Sequence, residues 1–134
     1  MKKIILCLVI ILFPVFSYSQ ESVYTWYFAG NKELFKKNYD EAIKNYNKAL
    51  EIDPKADFAY FNRANAKFEL KDYQGARLDY NKTIMLNDQY AEAYCGRGKS
   101  KYYLGDKEGA CEDLKISRKL NFEEAKEVIK ELCK

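Results

Sequence analysis

The nine residues 72–80, Asp-Tyr-Gln-Gly-Ala-Arg-Leu-Asp-Tyr, have a counterpart thirty-four positions earlier at 38–46 and another thirty-four later at 106–114. No other feature constrains the fold as strongly. A unit of this length cannot bury its own apolar face, so copies in register must stack and share a continuous core. The copies span 23–56, 57–90 and 91–124 without an insertion. Down the three copies, equivalent positions read Trp26, Tyr60, Tyr94; Gly30, Ala64, Gly98; Tyr39, Tyr73, Lys107; Ala42, Ala76, Ala110; Tyr46, Tyr80, Leu114; and Ala49, Thr83, Ser117.

Each copy carries two apolar stripes at helical spacing, as in Ala42, Ile43, Tyr46, Ala49 and Leu50. Between the stripes lie turn signals at Lys37–Asn38, Lys71–Asp72 and Gly105–Asp106. Asp53–Pro54 closes the first copy, because proline disfavours helix in the residue before it. The pattern predicts six helices near 22–36, 39–52, 57–70, 73–86, 91–104 and 107–119. Gly30, Ala64 and Gly98 are expected to face the small Ala42, Ala76 and Ala110, with Tyr46 and Tyr80 filling the space alongside. The last copy leaves an apolar face open, so a capping helix is expected at about 122–133, with Ala125, Val128, Ile129 and Leu132 as its inner stripe.

This pattern resembles the tetratricopeptide repeat, a 34-residue helix-turn-helix unit with Trp, Gly, Tyr, Ala and Pro signposts. Trp26, Gly30, Tyr39, Ala42, Tyr46, Ala49 and Pro54 match in the first copy, Ala64, Tyr73, Ala76 and Tyr80 in the second, and Gly98, Gly105 and Ala110 in the third. Glu33 and Lys67 depart from the family's aromatic, and Lys107 from its mid-repeat tyrosine. The resemblance covers three times 34 residues, 102 of the 134. It implies an all-α, right-handed α-solenoid.

The N-terminus reads as an export signal: Lys2 and Lys3 precede an apolar run at 4–16, and Ser17-Tyr18-Ser19 offers small residues for cleavage. A cut after Ser19 leaves a domain of residues 20–134 that is periplasmic or secreted and not inserted in the membrane. An uncleaved anchor is the alternative, although the run is shorter than the roughly 20 apolar residues that span a bilayer. Cys7 sits too early in the run for lipid attachment. Losing Lys2 and Lys3 takes the 23 basic residues to 21, against 20 acidic ones. That near-neutral balance gives no reason to expect nucleic acid or an anionic surface as partner, and the charges read as solvated helix faces.

Export places Cys95, Cys111 and Cys133 in an oxidising space. If the cap packs antiparallel to the helix starting near Lys107, Cys133 comes close to Cys111. Cys95 lies roughly 14 Å away along the axis. The expected bridge is Cys111–Cys133 with Cys95 free, and the alternative is three small buried hydrophobes.

Nothing in the chain reads as catalytic. There is no histidine, which removes the commonest general base and metal ligand. No glycine-rich phosphate loop is present, and the acids lie along helix faces without a paired setting. No enzyme activity, cofactor or metal site is expected. Asn81-Lys82-Thr83 fits a glycosylation acceptor, but inside a predicted helix it reads as chance.

The resemblance implies a concave groove lined by the first helix of each pair, receiving an extended peptide or a partner's helix. Carried onto this chain, the groove presents Tyr24, Tyr27, Asn31 and Phe35; then Phe58, Phe61, Asn65 and Phe68; then Lys99, Tyr102 and Tyr103. About half of these rings could equally pack between helices. Chaperone-binding members of the family grip a terminal carboxylate with two asparagines and several basic residues. Asn31 and Asn62 match the asparagines, but Tyr27, Glu92 and Gly96 stand where the basic residues belong, so that clamp is not expected. The leading expectation is a protein-binding adaptor. The rivals are self-association into a homo-oligomer or envelope scaffold, and glycan capture by exposed rings.

Overall fold

The computed structural model describes residues 21–134; the apolar run, the Ser19 cut and Cys7 lie outside them. The described residues form seven helices: α1 Val23–Phe35, α2 Tyr39–Ile52, α3 Asp57–Glu69, α4 Tyr73–Leu86, α5 Ala91–Tyr103, α6 Lys107–Lys119 and α7 Glu124–Leu132. Each packs on its predecessor, and α3 also touches both α1 and α5, which puts these three helices on one side of the stack. The architecture is the expected all-α solenoid. No helix among the described residues is long and apolar enough to cross a membrane.

The turns explain why the helices stop where they do. Lys37, Lys71 and Gly105, one per repeat, all have positive φ. After each, the next amide bonds back to a carbonyl five residues earlier: Asn38 to Glu33, Asp72 to Lys67 and Asp106 to Lys101, each at 2.9 Å. This left-handed closure satisfies carbonyls the helix end would otherwise leave open. Asp72 and Asp106 then accept the amides of Gly75 and Gly109 at 2.9 Å and so cap α4 and α6. A Cβ at either glycine would collide with the capping carboxylate. Asn38, which makes no such cap, is followed at the equivalent position by Glu41.

The core is small residues between large rings. Ala42, Ala49, Ala59, Ala64, Ala66, Ala76, Ala93, Ala110 and Ala125 are completely buried, as are Tyr46 and Leu114. The expected pairing of small residues holds at Gly98, whose added Cβ would lie 3.0 Å from the Ala110 carbonyl. At Gly30 the nearest neighbour is the Tyr46 ring, 2.5 Å from an added Cβ. The tyrosine reaches into the notch because its hydroxyl finds a partner beyond it, at Asn31.

The acids correct the expectation of uniformly solvated charge. Asp79 and Asp113 are buried. Arg63 grips Asp79 through Nε and Nη2 at 2.8 and 2.7 Å, while its Nη1 donates to Asn47 in the preceding repeat at 2.7 Å. Arg97 repeats the arrangement with Asp113 and Asn81 at 2.8 Å throughout. Lys67 and Lys101 close the two clusters. Each arginine thus spans a junction between repeats, and its planar fork suits two-point contact with a carboxylate. The first repeat has Ala29, Glu33 and Asn45 at the corresponding positions. The Asn81-Lys82-Thr83 tripeptide lies within α4, with Thr83 wholly buried.

The cap starts later than expected, at Glu124, and only Ala125 of its stripe is fully buried. The α6–α7 turn uses the left-handed closure at Asn121, with the Phe122 amide on the Ser117 carbonyl at 3.2 Å. The turns leaving α2 and α4 instead have extended Asp53 and Asn87. A disulfide joins Cys111 on α6 to Cys133 just past α7, Cα–Cα 5.8 Å, and Cys95 is free and buried.

Candidate functional site

A cleft of about 270 Å³ opens on the side formed by α1, α3 and α5. Phe61, Asn65, Phe68 and Glu69 enter it from α3, and Glu92, Cys95, Gly96 and Lys99 from α5. Tyr80 forms part of its wall, and Phe122 and Glu124 close it at the start of the cap. The helical spacing of 61, 65, 68 and of 92, 95, 96, 99 puts each set on one face. Gly96 is required there: a Cβ would sit 2.4 Å from the Tyr80 ring.

The two asparagine–tyrosine pairs run across the stack. The Tyr46 hydroxyl donates to Asn31 Oδ1 at 2.7 Å, and Tyr80 donates to Asn65 Oδ1 at 2.6 Å. Asn62 links them: its Nδ2 donates to Asn31 Oδ1 at 2.9 Å and to the Tyr27 hydroxyl at 3.1 Å, and its Oδ1 accepts from Asn65 Nδ2 at 3.4 Å. These asparagines, expected as ligand contacts, already spend their carbonyl oxygens inside the protein. Burial pushes the Tyr46 and Tyr80 phenols well above the ordinary tyrosine range, so both stay protonated donors. In the third repeat the pair becomes Lys99 and Leu114. With no phenol to bind, Lys99 turns to Glu124 Oε1 at 2.9 Å. Burial opposes the charge on Lys99, but the Glu124 hydrogen bond and nearby Cys95 outweigh it and raise its pKa. Burial likewise pushes the Cys95 thiol up to about 11, so at neutral pH it is a protonated, unreactive group.

Of the residues expected to line a groove, Phe61, Asn65, Phe68 and Lys99 meet in this cleft. Tyr24, Tyr27, Asn31 and Phe58 form a neighbouring patch instead. There Tyr24 stacks on Phe58 at 5.6 Å and Tyr27 meets Phe58 edge-on at 4.7 Å. Tyr102 and Tyr103 lie at the hairpin end of the third repeat. Tyr103 stacks on Tyr73 at 4.6 Å, and Lys107 Nζ lies 5.8 Å from the Tyr102 ring centre. Phe35 is 91% exposed beyond these clusters. Tyr27, Phe61 and Tyr102 are half-buried, and Phe61 stacks on Tyr90 at 4.8 Å.

Sequence reasoning missed Glu69, Phe122 and Glu124 as lining residues, and it treated Glu92 only as a missing lysine or arginine. It also missed the arginine clusters, although Asn47/Asn81, Arg63/Arg97, Lys67/Lys101 and Asp79/Asp113 all recur at the repeat period.

The chain matches the family described as "TPR repeat" over residues 30–71 and "Tetratricopeptide repeat" over residues 59–90. No protein of curated function matches it by sequence. Among solved structures it is similar to the first TPR of Spaghetti (RPAP3) bound to HSP90 peptide SRMEEVD. That likeness is 32% identical, covers 84% of this chain and 90% of the other, and has a TM-score of 0.80. The first TPR domain of human RPAP3 is 33% identical over 83% of this chain and 89% of its own, TM-score 0.79. The Arabidopsis OM64 TPR domain is 26% identical over 83% and 93%, TM-score 0.80. With its repeats in register and two relatives at 32 and 33% identity along most of their length, the chain belongs to the tetratricopeptide repeat family.

Proposed function

We propose that this protein is an exported adaptor that binds an extended segment of a partner protein in the cleft between α3, α5 and the start of the cap. It contributes recognition rather than catalysis. The carrying observation is the convergence of Phe61, Asn65, Phe68 and Lys99, from two repeats, on one open cleft that Phe122 and Glu124 close. Aromatic walls supply contact area, and a few fixed polar groups supply orientation, as in other ligand sites. The likeness to a domain bound to an HSP90 peptide supports peptide as the ligand class. The terminal-carboxylate mode is not carried over: Tyr27, Glu92 and Gly96 occupy the basic positions, and Asn31 and Asn62 are bonded to each other.

The test is a pull-down from the native envelope fraction with the wild-type chain and with a Phe61→Ala, Asn65→Ala double variant of unchanged helical content. Loss of a partner with the variant alone supports the cleft as the working surface. A partner retained at full yield moves binding elsewhere. Export itself is tested by N-terminal sequencing of the envelope protein, with Gln20 as the expected first residue. In the same protein, mass analysis under non-reducing conditions should recover Cys111 and Cys133 in one linked peptide and Cys95 as a thiol.

A further inference from the structure

The cleft carries a charge pattern that specifies its occupant more narrowly than "peptide". Three carboxylates, Glu69, Glu92 and Glu124, surround it, with Lys99 as the one basic lining residue. Lys99 is already committed to Glu124 at 2.9 Å. Among the described residues neither Glu69 nor Glu92 has a lysine or arginine within 4.0 Å, and both are exposed residues at the cleft. Glu69 accepts only a long hydrogen bond from the Tyr39 hydroxyl, at 3.4 Å. The basic side chains Arg63 and Lys67 are bound to the buried Asp79, and Arg97 and Lys101 to the buried Asp113; none of the four lines the cleft. The cleft therefore presents a net negative rim over walls made by Phe61, Phe68 and Phe122.

From this we infer that the occupant is an extended peptide segment carrying lysine or, better, arginine beside apolar residues, and that the cleft selects against acidic segments. The inference rests on the proposed function and narrows it. A guanidinium entering beside Glu92, in the first turn of α5, gains a carboxylate that has no ion-pair partner among the described residues. A second basic residue along the segment meets Glu69 at the far end of α3. The guanidinium also finds aromatic faces to lie against, a combination arginine uses better than lysine. An aspartate or glutamate at the same place meets like charge with no cation free to receive it, and such juxtapositions exclude wrong partners. Glu92 is the key residue, because it lines the cleft as an exposed carboxylate with no ion-pair partner among the described residues.

A random heptapeptide phage library panned on residues 20–134 with the disulfide intact tests this directly. The controls are a Glu92→Lys variant, a Glu92→Gln variant and the Phe61→Ala, Asn65→Ala double variant, each checked for wild-type helical content. The expected result is enrichment of arginine and lysine over the naive library on wild type, reduced on Glu92→Gln and shifted to aspartate and glutamate on Glu92→Lys. A selected basic heptapeptide, made synthetically with blocked ends, should bind Glu92→Lys at least about fivefold more weakly than wild type, the scale of one rim ion pair. That loss should shrink at 1 M salt, where charges are screened within about 3 Å. Peptides that bind wild type but not the cleft double variant, with no charge preference or an acidic one, would overturn the charge inference and leave the peptide cleft standing. Peptides that bind wild type and double variant alike, or no enrichment at all, would overturn both.

Discussion

At the scale of single residues, the chain is governed by where large rings meet missing side chains. Gly96 gives way to the Tyr80 ring, whose hydroxyl is held by Asn65. Gly96→Ala therefore forces that ring out of place, and we expect a loss of about 1–3 kcal/mol in urea unfolding, the usual cost of overpacking. Gly30→Ala should behave alike against Tyr46, because the collision is the same. Cys95 supplies a pH prediction. Its pKa rises from 9.0 to about 11 on burial, so above pH 9 the folded chain holds a proton that the unfolded chain releases. Its contribution to stability is complete below pH 9 and is lost as pH rises through about 11. A Cys95→Ala variant should show a shallower decline across that window by urea titration. Iodoacetamide should leave native Cys95 unmodified at pH 8 and label it in urea.

The helices and their connections owe their stability to devices that repeat. Each junction between repeats is tied by one arginine that reaches a buried aspartate in its own repeat and an asparagine in the one before. Asp113→Ala leaves Arg97 and Lys101 without their buried counter-charge, and a loss of about 3–5 kcal/mol is expected from chemical denaturation. Asn81→Ala removes only the partner in the preceding repeat and should cost about 1 kcal/mol. A hydrophobic set such as Arg97→Met, Lys101→Met, Asp113→Leu should be milder than Asp113→Ala, because it removes the whole ion cluster and leaves no orphaned charge. At the far end, the Cys111–Cys133 bridge encloses a 22-residue separation. Reduction should lower stability by about 3 kcal/mol, and hydrogen exchange in α7 should quicken first, since only Ala125 of that helix is buried.

Across the whole molecule, each repeat touches mainly its neighbours, so cooperativity depends on the junctions. Trp26 lies in the first repeat, where Lys48 sits 3.8 Å over its ring. It packs on the cluster of Ala49, Leu50, Ala56 and Ala59, where the first repeat meets the second. In the wild-type chain its fluorescence and the helical circular dichroism should lose structure at the same urea concentration. In an Arg63→Ala variant the Trp26 transition should come first, because the tie from Asn47 to Asp79 is cut. Coincident transitions in that variant would count against the arginine as the coupling element. The sequence by itself determined the helices, their turns, the register of the repeats and the need for a cap. These follow from local periodicity and from turn residues such as Lys37, Lys71 and Gly105, each acting within a few positions of itself. It also placed Phe61, Asn65, Phe68 and Lys99 on the inner helices. Only the tertiary structure decided that Asn31 and Asn65 bind tyrosines, that Asp79 and Asp113 are buried partners of arginine, and that Glu69, Glu92 and Glu124 share one cleft. The tyrosine and arginine pairs depend on how the two helices of a repeat pack, as where the Tyr46 ring fills the notch at Gly30. The shared cleft depends on how one repeat sits on the next, as where the Tyr80 ring fills the notch at Gly96. No local pattern encodes either fit.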